Sequence, residues 1–316
     1  MKSLIAPALT LTLAACGGSN SEVSQRIDQL HFGSTDPAQA ANGLDYADAD
    51  SNNAGLLGQE IQANAVLSKV NADTGAGQTS AEATIVEFID GNNFTIRIGG
   101  ETLTFVSSAA TRPNGDSLIG TLRSSDFANQ IEIRNTEWAT KGAPQEFYFG
   151  DTAFGFETNP ETVAQLGSTV TYAANFIANG VLSDNNGLKP GSFGTASGLL
   201  LLVADFDDGS VGGTVQLSID EEVDATAVPV PGANEVTLQL TEAAIEGNGF
   251  VTDMTGITCA GAVACTSNSA IGGVFYGPNA EEVAGVSGLD VSFTDDSGNT
   301  TTFQGSGGFT GGSGEE

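Results

Sequence analysis

A strand–turn–strand pattern runs from residue 272 to residue 285 and reads Gly272-Gly273-Val274-Phe275-Tyr276-Gly277-Pro278-Asn279-Ala280-Glu281-Glu282-Val283-Ala284-Gly285. Adjacent glycine and proline favour tight turns, so Gly277-Pro278 predicts a turn between two strands. The residues on either side predict strands at 270–276 and 281–294. Phe275 is expected to fill the interior of the structure that these strands help to build.

Six further segments around this hairpin either alternate between apolar and polar residues or form short apolar runs, as buried strands do. They lie at 169–176, 199–206, 214–219, 235–240, 243–251 and 300–309. Eight consecutive strands with polar turns predict an antiparallel up-and-down β-barrel over residues 165–310, because closure removes exposed strand edges. A β-sandwich is the alternative, since periodicity alone does not separate the two.

Shorter strand patterns precede the barrel and predict a small β-rich domain over residues 81–160, so the fold class is all-β. These patterns lie at 83–89, 94–98, 103–105, 131–133 and 147–149. At the boundary, Asn159-Pro160-Glu161-Thr162 predicts a short helix that continues to Gln165.

The segments outside the two domains have few aromatic residues. Residues 16–80 are rich in Ala, Asn, Asp, Gly and Ser, and this composition predicts a flexible, largely disordered tether with a short helix near Glu60 to Val70. Residues 311–316 are predicted to be a disordered tail.

The N-terminus has the pattern of a lipoprotein signal peptide over residues 1–15. Lys2 precedes an apolar run from Leu4 to Leu13, and the order Leu13-Ala14-Ala15-Cys16 is similar to a bacterial lipobox. Cys16 is therefore predicted to be lipidated and to anchor the chain to a membrane. An ordinary export signal is the alternative; the apolar run is shorter than the ~20 residues that span a bilayer. Gly17 is not the aspartate that retains bacterial lipoproteins in the inner membrane, so the outer membrane is the expected location.

The composition excludes some partners. The chain carries 39 acidic and 9 basic residues, for a formal net charge of −30. Such a surface repels nucleic acid and anionic lipid headgroups. It fits a saline habitat, a cationic partner or solubility alone.

Cys259 and Cys265 are the two cysteines left after Cys16. In an exported chain, a disulfide between them is the natural interpretation. A metal pair is the alternative, but two thiols without a nearby histidine make an incomplete zinc site.

The sequence lacks the usual signs of catalysis, so no enzyme activity and no cofactor are predicted. Its one histidine, His31, falls in the predicted tether, where a catalytic imidazole is not positioned. Two acidic clusters are weak calcium candidates, with solvated turns as the alternative. They comprise Asp48, Asp50 and Asn52, and Asp205, Asp207 and Asp208.

The alternation of a barrel is the same whether its apolar face points inward or toward lipid. The chain carries a predicted lipid anchor and ends in Gly, Ser and Glu, whereas outer-membrane barrels resemble each other in ending on an aromatic residue. A water-soluble barrel is therefore predicted.

The hairpin over residues 272–285 resembles the signature hairpin of the transferrin-binding protein B barrel domain, in which Phe-Tyr-Gly-Pro-x-Ala-x-Glu-Val-x-Gly joins two late strands. Phe275 to Gly285 match this pattern, and Asn175-Phe176 and Ala204 to Gly209 stand where similar barrels carry early strands. The length gives room for one lobe, with residues 81–160 in place of the family's handle domain.

The resemblance implies a surface lipoprotein that captures a protein or haem and works beside a TonB-dependent receptor. Two other functions stay open. One is an accessory envelope lipoprotein without a dedicated ligand. The other is a haem or small-molecule binder at the barrel mouth, for which His31, Met254 or a tyrosine such as Tyr276 would supply the axial ligand to haem.

Overall fold

The structure is a computed structural model that describes residues 44–50, 53–71, 77–90, 93–98, 100–136, 146–184, 187–223, 226–230, 233 and 235–314. These residues form two antiparallel β assemblies in sequence order, which confirms the all-β prediction. The predicted signal peptide, Cys16 and His31 lie outside the described residues. Among the described helices, none has both the length and the apolar character needed to cross a membrane.

The first domain is an eight-stranded sheet in the order β4-β3-β2-β1-β8-β7-β6-β5. Its strands are β1 (Glu60–Asn71), β2 (Gly77–Asp90), β3 (Asn93–Ile98), β4 (Glu101–Phe105), β5 (Ala109–Thr111), β6 (Ser117–Ser124), β7 (Ala128–Asn135) and β8 (Glu146–Gly155). A bridge between Val106 and Ala109 joins β4 to β5, the two ends of this order. The sheet therefore curls around a core of its own, in which Phe88, Phe94 and Phe154 are fully buried.

The prediction of a tether over residues 16–80 is wrong for the described part of that segment. Strand β1 pairs with β2 on one side and β8 on the other, so it lies in the middle of the sheet. The short helix predicted near Glu60 to Val70 is also absent from it. Ile61, Ala63 and Leu67 face the core, but alanine is small and favours helices, so the strand pattern is weak in the sequence. Pairing on both sides overrides this preference.

The second domain is a closed barrel, as predicted. Its strands are β9 (Thr169–Asp184), β10 (Gly187–Asp205), β11 (Ser210–Val223), β12 (Thr226–Pro229), β13 (Val236–Ala244), β14 (Gly249–Cys259), β15 (Ala264–Ser267), β16 (Ser269–Tyr276), β17 (Glu282–Thr294) and β18 (Thr300–Ser313). Eight of these form the wall in the order β10-β9-β18-β17-β16-β14-β13-β11, and β10 pairs with β11 to close the ring. Closure excludes the sandwich.

Two details of the predicted barrel are wrong. The strand predicted at 243–251 spans a turn, in which Gly247 has a φ of +64° and separates β13 from β14. The predicted tail at 311–316 begins inside β18, where Gly312 pairs with Glu282. Glycines at both places have no side chain and so interrupt the alternation of apolar and polar residues. The sequence therefore does not show where these strands end.

The apolar face of the alternation points into the barrel. Phe275 packs at centroid distances of 5.7 Å from Tyr172, 5.2 Å from Phe206 and 5.9 Å from Phe250. Outward positions such as Gln216 and Gln239 are exposed. A membrane-spanning barrel has the opposite arrangement, with apolar residues outside.

One end of the barrel is covered by the predicted short helix, α1 (Pro160–Val163), which ends before the predicted Gln165. Asn159 caps it by accepting a hydrogen bond from the Glu161 backbone N–H at 2.8 Å, and Pro160 occupies the first turn. Val163 is buried in the barrel core, with Leu166 packed against it. The turn of the hairpin over residues 272–285 lies at this end, which we call the hairpin end.

Candidate functional site

The signature hairpin (residues 272–285) lies against the segment that connects the two domains. The Gly277 N–H donates to the Phe156 carbonyl at 2.8 Å, and the Thr158 hydroxyl donates to the Gly277 carbonyl at 2.7 Å. The Tyr172 hydroxyl donates to the Ala280 carbonyl at 2.6 Å from within the barrel. Gly277 has a φ of +92°, and a Cβ there would come within 3.0 Å of the Phe127 ring. Glycine is thus required both for the turn and for contact with the first domain.

Glu282 joins the hairpin to the turn between β6 and β7 of the first domain. Its carboxylate accepts backbone N–H bonds from Asp126 at 3.1 Å, Phe127 at 3.0 Å and Ala128 at 2.7 Å. It also accepts the Ser125 hydroxyl at 2.6 Å. A hydrogen bond to an ionised carboxylate is stronger than one between neutral groups, and Glu282 accepts four of them. Glu282 is therefore a positioning residue that holds the two domains together.

Glu157 lies in the connecting segment, and its backbone pairs with Tyr276 of the hairpin. The Asn248 side-chain amide donates to the Glu157 carboxyl at 3.1 Å and to the Thr158 carbonyl at 2.9 Å. Burial raises the pKa of Glu157 to about 7, although the bond from Asn248 opposes this shift. The junction thus contains a carboxyl group that titrates near neutral pH.

A second buried carboxyl lies farther along the interface between the domains. Burial and the nearby charge of Glu132 raise the pKa of Asp151 well above its usual range. The Gln130 side-chain amide donates to Asp151, and a Cβ on Gly308 of β18 would lie 2.7 Å from that amide nitrogen. Glycine at this position therefore lets the barrel wall approach the Gln130–Asp151 pair.

Polar and apolar contacts surround this pair. Asn179 of the barrel donates to Glu132 at 2.9 Å, and Arg123 donates to the other oxygen of Glu132 at 2.8 Å. Val66 and Val286 belong to one buried apolar cluster that spans both domains. The first domain and the barrel therefore share a continuous packed interface.

The structure places Met254 and Tyr276, the two haem candidates named by position that it describes, away from solvent. Met254 is 0% exposed inside the barrel core, and Tyr276 is 1% exposed at the junction. Burial raises the pKa of Tyr276 well above its usual range. Neither side chain is available to an incoming ligand.

Two of the described calcium candidates, Asp50 and Asp205, act as acceptors within turns. Asp205 accepts the backbone N–H groups of Asp207 and Asp208, each at 3.1 Å, and Asp50 accepts that of Ala54 at 3.1 Å. Asn52 lies outside the described residues. Over the part of the chain that the structure describes, no three His, Cys, Asp or Glu side chains are grouped to hold a metal ion.

Cys259 and Cys265 are joined by a disulfide, with their Cα atoms 6.4 Å apart. Cys259 ends β14 and Cys265 lies in β15, at the barrel end opposite the hairpin end. The last residue of β9 and the turn after β17 lie at the same end. This far end is therefore separate from the domain junction.

A groove of about 530 Å³ crosses the outer wall between β10, β11 and β13. Leu199, Gln216 and Glu235 are among its exposed lining residues. This groove was not predicted from the sequence. The apolar run at 199–206 was a signal for it, since a strand with one buried face does not need apolar residues on both faces.

Comparison with known proteins supports the resemblance. Residues 165–310 match the family described as "C-lobe and N-lobe beta barrels of Tf-binding protein B". No curated protein sequence matches the chain.

Two of the similar solved structures are transferrin-binding proteins B. A double mutant of the Haemophilus parasuis protein is 15% identical with a TM-score of 0.42, over 80% of this chain and 45% of that one. The isotype 1 protein of serogroup B Neisseria meningitidis is 13% identical with a TM-score of 0.38, over 80% of this chain and 44% of that one. The chain thus spans about half the length of these structures.

Proposed function

We propose that this chain, whose residues 165–310 form a barrel domain of the transferrin-binding protein B type, is an outer-membrane lipoprotein that binds a protein ligand at the cell surface. The match of the barrel to that family carries the proposal, because proteins of the family bind other proteins. The lipobox at Leu13 to Cys16 supplies the anchor. A TonB-dependent receptor is the expected membrane partner.

Several features of the structure suit this role. The bonds of Glu282 hold the first domain against the barrel at the hairpin end. The far end and the outer wall of β10, β11 and β13 stay accessible, as the exposure of Leu199 and Val263 shows. A net charge of −30 favours a ligand with a basic surface, since electrostatic attraction accelerates association.

Replacing Cys16 by alanine tests the anchor. We expect cells fed radiolabelled palmitate to label the wild-type chain in the outer-membrane fraction. The Cys16→Ala chain should be unlabelled and should leave the membrane fraction, because it lacks the thiol that carries the lipid. A Cys259→Ala/Cys265→Ala double variant serves as the control and should still be labelled. Label on Cys16→Ala would contradict the assignment.

Titration of the purified chain with haemin tests the haem alternative. We expect no new Soret absorbance, because Met254 and Tyr276 are buried and haem binding requires an accessible axial ligand. A saturable Soret shift would favour haem capture over protein capture. A His31→Ala variant would then show whether the histidine outside the described residues supplies the ligand.

A further inference from the structure

The outer wall formed by β10, β11 and β13 carries no charged side chain over its central part. Residues 197–203, 212–218 and 236–241 contain no Asp, Glu, Lys or Arg, although 15% of the whole chain is charged. Leu199 and Val203 are 38% and 39% exposed, and Gln216 and Gln239 are exposed beside them. We call this surface the uncharged face.

The groove of about 530 Å³ opens at one end of the uncharged face. It forms where β11 changes partner, since Leu217 pairs with Val236 of β13 while Asp220 pairs with Pro229 of β12. Gly198 lies in its wall, and a Cβ there would lie 1.9 Å from the Gln216 carbonyl oxygen. Glycine therefore allows the close strand approach that shapes the groove.

The groove combines apolar and polar residues with a single charge. Leu199 supplies exposed apolar surface, and Ser197 and Ser218 supply hydroxyl groups. The side chains of Leu217 and Val236, which also line the groove, are buried in the barrel core. Glu235 is the one charged residue among those that line it. This combination suits a long aliphatic side chain that ends in a cation, because such a side chain buries its stem and keeps its charged head at a polar rim.

Acidic residues border the uncharged face at both ends. Asp205 and Asp207 lie at the hairpin end, and Asp220, Glu221 and Glu235 lie toward the far end. A second copy placed on this face about a twofold axis would bring these acidic borders together, which electrostatic repulsion disfavours. A surface with basic borders is complementary to it.

We propose that the uncharged face docks a protein ligand whose apolar surface is bordered by basic residues, with one arginine or lysine of the ligand seated in the groove beside Glu235. This inference rests on the proposed function and names the surface that performs it. An anchor side chain that fills a pocket of the interface is a common source of binding energy between proteins.

A peptide titration tests the anchor. The probe is the blocked tripeptide Leu-Arg-Leu, and its matched control replaces arginine by neutral citrulline. Both are added to the full chain carrying Cys16→Ala, and backbone amide shifts are followed by NMR. We expect saturable shifts at Gly198, Gln216 and Ser218, with the citrulline peptide binding about fivefold more weakly, as loss of one charge pair predicts.

Two variants localise the effect. Glu235→Gln should weaken binding of the arginine peptide by about the same fivefold factor. Glu242 is exposed on β13 outside the groove, so Glu242→Gln should leave binding unchanged. Equal binding of both peptides, shifts spread over the acidic ends, or no effect of Glu235→Gln would overturn the inference. So would self-association of the chain through the exposed Leu199 and Val203 in the absence of peptide. Exposure of the chain on intact cells is measured separately, so failure here leaves the proposed function standing.

Discussion

Replacing Glu282 by alanine lowers the free energy of unfolding by about 3 kcal/mol. The carboxylate accepts three backbone N–H bonds and one hydroxyl bond from residues 125–128 of the first domain. Each lost hydrogen bond to a charged group costs ~1.5–3 kcal/mol. Water can bond to the donors in the exposed part of the turn, so the total loss is smaller than the sum over the four bonds. Urea denaturation at pH 7 measures the change.

Glu281→Ala is the matched control for this prediction. The Glu281 carboxylate accepts the backbone and side-chain N–H groups of Asn279, at 2.8 and 2.9 Å, within one exposed turn. We expect its loss to cost less than ~1 kcal/mol. Equal losses of unfolding free energy in Glu281→Ala and Glu282→Ala would show that Glu282 does not join the domains.

Glu157→Gln stabilises the chain at pH 8 and removes much of the decline in stability between pH 4.5 and pH 7. The folded pKa of about 7 lies above the unfolded value of 4.5. A raised folded pKa contributes stability that is present below the unfolded pKa and lost as the pH rises through the folded pKa. Glutamine keeps the bond from Asn248 and never ionises.

The size of this stabilisation follows from the pKa shift of Glu157 and from the solvent exposure of its side chain. The shift alone corresponds to about 3 kcal/mol. Glu157 keeps part of its surface accessible, so solvent reduces the gain at pH 8 to about 2 kcal/mol.

Thermal and urea unfolding of wild type and Glu157→Gln across pH 4–9 test this prediction. The pKa of Asp151 is also raised, so ionisation of Asp151 lowers stability in the same direction. The Glu157→Gln chain therefore retains some pH dependence, and adding Asp151→Asn should remove more of it. Curves for wild type and Glu157→Gln that stay parallel over the whole range would contradict the role of Glu157.

The barrel was predictable from the sequence because its signals are local. Gly277 and Pro278 mark a turn, and the alternation on either side fixes which residues face inward. Strand β1 was not predictable in the same way. Its place between β2 and β8 depends on pairing with residues up to Ala153, and its inward alanines give little contrast with its polar residues.

The domain junction was beyond sequence reasoning for a related reason. The hairpin motif includes Glu282, but three of the four donors that this residue binds are backbone N–H groups, more than 150 residues away. Backbone donors leave no trace in residue identity. The uncharged face could have been found, since the absence of acids from residues 197–203 and 212–218 is visible in the sequence.

Protease accessibility on intact cells tests the proposed surface lipoprotein most directly. Wild-type cells and cells carrying Cys16→Ala are treated with a protease that does not cross the outer membrane, and a periplasmic protein serves as the integrity control. We expect the wild-type chain to be degraded on intact cells, and we expect Cys16→Ala to abolish this cell-attached, protease-sensitive pool. Full protection of the wild-type chain in intact cells, with digestion only after lysis, would contradict surface capture and favour an accessory role inside the envelope.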